Sequence, residues 1–347
     1  MKTALASLVA GQDLSDAEMS AAMSTIMDGD ATAAQIGAFL AALAAKGETV
    51  EELAAAVRVL RERAVELRTA GPVIDTCGTG GDGLGTFNVS TAAAFVAAAA
   101  GAKVAKHGNR ASSGQVGAAD VLEALGANIE LGPEAAGRCL DRCGITFLFA
   151  PAYHPAVRHV AAARRELGFR TLFNLTGPLC NPAGARRQVV GLFSRDWLLP
   201  VAETLRRLGS EHVLVVHGGD GSDEITPAAE THVVELAGGE IRSYDIAPED
   251  FGMARATAGD LAGGDAGANA QMLREVLGGQ PGARADATAL NAGAAIRVAG
   301  IAASLAGGVA RAREILKSGE ALGVLEAFVA ESRDAAGERA HAQGSTT

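Results

Sequence analysis

Over the first seventy residues the apolar positions keep a helical rhythm, interrupted by polar punctuation. Ser15 with Glu18, Thr32 with Gln35 and Thr49 with Glu52 have the spacing at which a hydroxyl and an acid or amide cap a helix start reciprocally. Gly29 and Gly47 stand where helices stop. Between these marks the chain is rich in Ala, Leu, Ile and Met, with Arg and Glu on the remaining positions. The pattern predicts three helices forming a small helical domain over residues 1–70.

Gly71-Pro72 changes the rhythm. Short apolar runs follow at Val73–Thr76, Lys103–Lys106, Thr146–Ala150, Val189–Phe193, Val213–His217 and His232–Leu236, separated by helical stretches, one of them around Asp120–Leu125. Strand-helix alternation predicts an α/β domain with a mostly parallel central sheet, covering 71–164 and 186–335. Ligands of such sheets sit on the loops after the strands' carboxyl ends. Thr171–Ala185 breaks the alternation, so a segment near 165–185 is expected to return to the helical domain. The end is predicted helical from Asp286 to Ala330, and 336–347 as a disordered tail. No repeat of 20–50 residues is present.

Composition narrows the class. The chain has 347 residues, 48% apolar and 20% charged, as expected of a two-domain globular protein. No apolar run is long enough to span a membrane, and Met1-Lys2-Thr3-Ala4 does not open a signal peptide. The net charge of −10 opposes general nucleic-acid binding, which needs a basic surface. Cys77, Cys139, Cys143 and Cys180 are too few for a disulfide framework in so long a chain, and point to a reducing cytoplasm.

Three loops after strands carry the candidate chemistry. The first is Cys77–Thr86, with five glycines whose backbone N–H groups can converge on a phosphate. Gly78, Gly80 and Gly83 also fit the dinucleotide pattern, but Asp82 would face the pyrophosphate, and Lys106-His107 stands where a ribose-binding acid belongs. No Gly-Lys-Ser/Thr follows, so it is not a Walker loop. Asn88-Val89-Ser90-Thr91 then opens an Ala-rich helix; a hydroxyl there is either an ordinary cap or part of an anion cradle. The second loop, Lys106–Gly114, gathers two cations, an amide and two hydroxyls, suited to clamp a second phosphate or simply to face solvent. The third, His217–Glu224, ends in adjacent acids that repel unless a cation joins them; hard oxygen donors suit magnesium, and an acidic surface turn is the plain alternative. Cys139 and Cys143, and His154 and His159, lack a zinc partner motif, and the cysteines read as core. Arg164-Arg165-Glu166 reads by default as an exposed helix face.

Taken together, the loops resemble the anthranilate phosphoribosyltransferase family. The resemblance rests on Gly78–Asp82, Asn88–Thr91, Lys106–Arg110, Ala150–Pro155, Arg164–Thr171, Asn174–Pro182, Asp223–Ile225 and Leu290–Ala292, in unbroken order from about residue 13 to 330. It implies a nucleoside-phosphorylase/phosphoribosyltransferase-like fold, with the site in the cleft between the domains and a homodimer through the helical domain. It implies transfer of the phosphoribosyl group of 5-phosphoribosyl 1-pyrophosphate (PRPP) to anthranilate, in tryptophan biosynthesis, with magnesium, expected as two ions. PRPP is assigned to Gly78, Gly81, Asp82, Thr86, Asn88, Val89, Ser90, Thr91, Lys106, His107, Gly108, Asn109, Arg110, Ala111, Ser112, Ser113, Gly114 and Ala118. Anthranilate is assigned to Gly78, Asn109, His154, Arg164 and Pro178, with His107 lining its approach, and magnesium to Ser90, Asp223 and Glu224. Arg164, Lys106, His107 and Asn109 are the expected catalytic set, with no compelling general base among them. Gln115 and Val116 depart from the Lys/Arg and Ser/Cys common in the family, which removes a positive charge from the phosphate loop.

The rival readings are a pyrimidine nucleoside phosphorylase, a nucleic-acid-binding paralogue of the same fold, and a NAD dehydrogenase. Arg164-x-Glu-Leu-Gly opposes the first. Asp223-Glu224 and the acidic balance oppose the second, and Asp82 the third.

Overall fold

The computed structural model describes residues 1–111 and 116–344, with side chains through residue 334. Ser112, Ser113 and Gly114, assigned above to phosphate binding, lie outside the described residues, as does Gln115.

The three capping boxes form as predicted. Ser15, Thr32 and Thr49 accept from the amides of Glu18, Gln35 and Glu52, which open helices Asp16–Met27, Ala33–Lys46 and Val50–Glu62. A fourth helix, Lys2–Val9, precedes them and was not predicted. It begins at Met1 without a side-chain cap, so it lacks the polar signature that marks the others. Glu52 is fully buried, and its carboxylate also accepts from Leu14 N (2.8 Å) and Lys46 Nζ (2.9 Å), tying the bundle's ends together.

Seven strands form one sheet: β1 Ile74–Gly78, β2 Val104–Gly108, β3 Ile145–Phe149, β4 Arg187–Gly191, β5 His212–Gly218, β6 Thr231–Ala237 and β7 Glu240–Ile246. Their order is β3-β2-β1-β4-β5-β6-β7. The first five run parallel, and β6 and β7 add an antiparallel edge. Six strands fall within two residues of prediction. β7 was missed: it is an edge strand with exposed Arg242, Ser243 and Asp245, so its apolar content is low. Its one clear signal was the Gly238-Gly239 hairpin turn.

Two cores flank the sheet. Helices Val89–Ala99, Pro133–Cys143, Ala283–Val298 and Leu305–Ser318 cover one face. The other face (Val190, Leu192, Val213, Val215) packs with helix Leu198–Arg207, the N-terminal helices and the returning segment. Leu172, Phe173, Leu175, Leu179 and Cys180 are the apolar anchors of that return. The apolar surplus of the first sixty residues is therefore absorbed within the chain, against the sheet, and does not by itself require a second copy. The last helix, Glu320–Gly344, carries helical backbone into the stretch expected as a tail. All four cysteines are free, and Cys139 is buried in the core. No helix among the described residues is long and apolar enough to cross a membrane.

Candidate active site

The glycine loop leaves β1 at its carboxyl end and is pinned from beneath. Thr79 N donates to Gly191 O (2.9 Å), Phe193 N donates to Thr79 Oγ1 (3.0 Å), and Gly80 N donates to Asp223 Oδ2 (2.6 Å). Gly78 is required by that approach: a Cβ there would lie 2.3 Å from Asp223 Oδ2. Thr86 bridges to Ala262 and closes the loop.

The helix start faces the same acids. Asn88 is the cap residue of Val89–Ala99 but makes no capping bond. Its amide instead donates to Val116 O (3.1 Å) and accepts from Asn269 Nδ2 (3.0 Å), so it fixes the approach of the phosphate loop. The free first-turn amide of Ser90 donates to Glu224 Oε1 at 3.2 Å. Thr91 is buried behind it. From β2, Lys106 Nζ reaches Thr76 O (2.5 Å) and Ser90 Oγ (3.3 Å). Three elements distant in sequence thus converge on one point.

Asp223 is buried and Glu224 half-buried, and among the described residues neither joins an ion pair. Burial raises the Asp223 carboxyl, and neighbouring Asp82 raises it further. Burial also raises Glu224, as does Asp223, while Lys106 pulls it down. A raised, unpaired acid pair is the electrostatic arrangement that a divalent cation relieves. Ser90 Oγ lies on the same helix turn whose amide holds Glu224. Among the described residues no group of three or more His, Cys, Asp or Glu forms a complete metal set. Two acids and a hydroxyl leave room for water and substrate oxygens, as magnesium prefers. The donor set fits that ion.

The second loop is more divided. His107 is buried with its backbone N–H on Asp75 Oδ1 (3.1 Å), and Gly108 packs closely under Phe147 and Ala118. Ala111 N donates to Asp120 Oδ2 (3.1 Å). Asn109 is exposed, and its Oδ1 accepts from Arg110 N (2.8 Å). Arg110 pairs with Asp120 and Glu123 and lies over the Phe149 ring. Its charge is neutralised there rather than held free for a phosphate. Lys106 is the cation that this loop delivers to the acids.

Opposite, the returning segment builds an aromatic corner. His107 and His154 rings lie 5.1 Å apart. His107 Nδ1 faces Gly177 O (3.2 Å), and His154 Nε2 faces Cys180 O (2.9 Å). Burial and the neighbouring His154 lower His107 to about 3, so it is neutral. Pro178 is buried beside them, its carbonyl accepting from Gln188 Nε2 (2.8 Å). Arg164, on helix Arg158–Leu167, lies over the Phe173 ring at 5.4 Å, and burial lowers its guanidinium. Among the described residues it has no carboxylate partner, whereas adjacent Arg165 is exposed.

The comparisons with known proteins agree along the whole chain. Residues 2–64 match the glycosyl transferase family helical bundle domain, and residues 70–322 the glycosyl transferase family a/b domain. The anthranilate phosphoribosyltransferase of Rubrobacter xylanophilus is 54% identical over 341 residues, covering 98% of this chain and all of the relative. The chain belongs to the anthranilate phosphoribosyltransferase family. The crystal structure of the Thermus thermophilus member superposes with a TM-score of 0.91 at 48% identity, covering 95% of this chain and 99% of that one. The Saccharomyces cerevisiae member, solved in complex with PRPP and Mg, gives 0.82 at 27% identity over 92% of each chain.

Several residues that shape the site had no role assigned from the sequence, Asn181 and Asn291 having entered only within family motifs. Asp75, wholly buried within β1, accepts from His107 N and from Asn181 Nδ2 (2.8 Å), which also donates to Ala105 O (2.8 Å). This joins two strands to the returning segment. Asn291 clamps the acidic loop, accepting from Ile225 N (3.0 Å) and donating to Ile225 O (2.8 Å). Gly191 admits the Asp223 backbone, which a Cβ would meet at 1.5 Å. An acid inside a core strand and an amide inside an apolar helix were the signals available.

Proposed function

We propose that this family member joins the phosphoribosyl group of PRPP to the amine of anthranilate, giving N-(5-phosphoribosyl)anthranilate and pyrophosphate in tryptophan biosynthesis. The observation that carries the reading is the adjacent Asp223–Glu224 pair, held between the glycine-loop amide of Gly80 and the helix-start amide of Ser90. Backbone N–H groups of Gly78–Gly85 and Asn88–Thr91 would receive the phosphates, with Lys106 as the nearby cation. Asp223, Glu224 and Ser90 Oγ would hold magnesium, in two ions. Bound there, magnesium supplies charge neutralisation for the departing pyrophosphate.

The bond from the anomeric carbon to pyrophosphate breaks as the bond to the amine nitrogen forms, and the nitrogen then gives up its extra proton to water or to the departing pyrophosphate. Arg164 would hold the anthranilate carboxylate, a planar fork against a planar acid. Pro178 and His154 would line the ring's approach. His107 is too weakly basic to take the amine proton; its unpartnered Nε2 would accept a hydrogen bond and orient the amine. Placement of both reactants supplies most of the rate. The reading also carries a homodimer through the N-terminal helices, where Val9 stays 80% exposed, and a cytoplasmic site suited to four free thiols.

Incubation with PRPP, magnesium and anthranilate should quench anthranilate fluorescence, and omission of either PRPP or magnesium should prevent it. Persistent fluorescence in the complete mixture, or phosphorolysis of a pyrimidine nucleoside, would overturn the reading. Light scattering should give twice the chain's mass at micromolar concentration; a monomer would remove the dimer.

A further inference from the structure

The glycine loop is held to the returning segment by one side chain that the mechanism above does not use. Arg170 NH2 donates to Gly81 O at 2.6 Å, and its guanidinium lies 4.0 Å over the Phe193 ring. Phe193 is itself fixed to the loop's base, because its N–H donates to Thr79 Oγ1. Arg170 pairs with no carboxylate among the described residues. It follows Gly168, the left-handed residue that ends the helix carrying Arg164. Thr171 N donates to Asn174 Oδ1 (2.9 Å) and anchors the chain immediately after it. The loop has little else to hold its crest: Gly80, Gly81, Gly83 and Gly85 all have positive φ, and Leu84 N bonds only within the loop, to Asp82 Oδ1.

A trans peptide places its carbonyl and its N–H on opposite sides. A grip on Gly81 O therefore turns the Asp82 N–H away from Arg170, to the other side of the loop. We propose that Arg170 is a positioning residue that sets the Gly81–Asp82 peptide for phosphate and couples the donor loop to the segment carrying the acceptor arginine. A flexible loop of four left-handed glycines samples many forms, and only the fraction with the correct peptide orientation binds tightly. A charged donor on the carbonyl, stacked on an aromatic ring, raises that fraction.

The proposal rests on the PRPP reading, so its test has one arm that needs no substrate. Amide hydrogen exchange on the full chain should show the Leu84 N–H, bonded to Asp82 Oδ1 across the crest, exchanging about tenfold faster in Arg170→Ala than in wild type, with the core strands unchanged. In kinetics, the KM for PRPP should rise about five- to thirtyfold while kcat falls less than about threefold. Arg170→Lys, which keeps a charged donor, should recover part of both effects. Unchanged exchange at Leu84 would overturn the latch whatever the enzyme's activity. Faster exchange with an unchanged KM would overturn its link to the donor. A wild-type chain without transferase activity would instead defeat the functional reading, with the exchange result standing apart.

Discussion

The donor and acceptor sides of the cleft are built by different means. On the donor side, backbone amides meet side-chain oxygens: Gly80 on the Asp223 carboxylate, Ser90 on the Glu224 carboxylate, Ile225 on the Asn291 amide oxygen. These contacts are dictated by where parallel strands end and a helix begins, so they follow from topology. On the acceptor side, short turns from Phe173 to Leu179 hold side chains against carbonyls, and Arg164 lies over the Phe173 ring. A fold can keep a phosphate cradle through many changes in acceptor, because the cradle is mostly main chain. On the proposed reading, choice of acceptor then falls to a few side chains on and before the returning segment.

The largest effect should come from the donor side. Asp223→Ala with Glu224→Ala should cost at least ~100-fold in kcat/KM at any magnesium concentration, with the fold retained by circular dichroism. Full turnover would place the metal elsewhere. Gly191→Ala should come next. The Cβ meets the Asp223 backbone at 1.5 Å, so overpacking should lower stability by about 1–3 kcal/mol in denaturant titration. Wild-type stability there would mean the acidic loop shifts freely.

Acid should distinguish the two sides. His107 is neutral in the fold, lowered to about 3 from an ordinary value of 6.5. Below pH 6.5 the unfolded chain binds a proton that the folded chain does not. Stability from His107 is therefore complete above 6.5 and is lost progressively as pH falls toward 3. Between pH 6.5 and 5 the loss should be about 2 kcal/mol. His107→Gln should flatten that slope in denaturant titrations; an unaltered slope would contradict the buried neutral ring. The smallest effect belongs to Gln115→Lys. It should lower the KM for PRPP modestly, by about 0.3–1 kcal/mol, the usual worth of a solvent-screened charge pair. A higher KM would show that the loop already has its charge complement.

What was legible in the sequence follows the same division. Capping boxes, glycine clusters and strand-end acids are local signals, and they placed the bundle, the sheet's parallel part and the donor loops. Arg110 shows its charge in sequence, but its partners, Asp120 and Glu123, are chosen by the fold. Asp75, Asn291 and Arg170 act through partners 32, 66 and 89 residues away; Asn291 and Arg170 stood in family motifs, but their contacts are set by the fold and not by any local pattern. The helix Lys2–Val9 and the edge strand β7 were missed for want of a cap and of apolar content.

The division itself is tested most directly at Arg164, by steady-state kinetics with each substrate varied in turn. Arg164→Ala should cost roughly 2–5 kcal/mol in kcat/KM for anthranilate, the range for breaking a desolvated charge pair. The KM for PRPP should change far less, and Arg164→Lys should recover only part of the loss. If Arg164→Ala kept the wild-type kcat/KM for anthranilate, or raised both KM values together, the acceptor would not be held by this arginine and the two sides would not be separate.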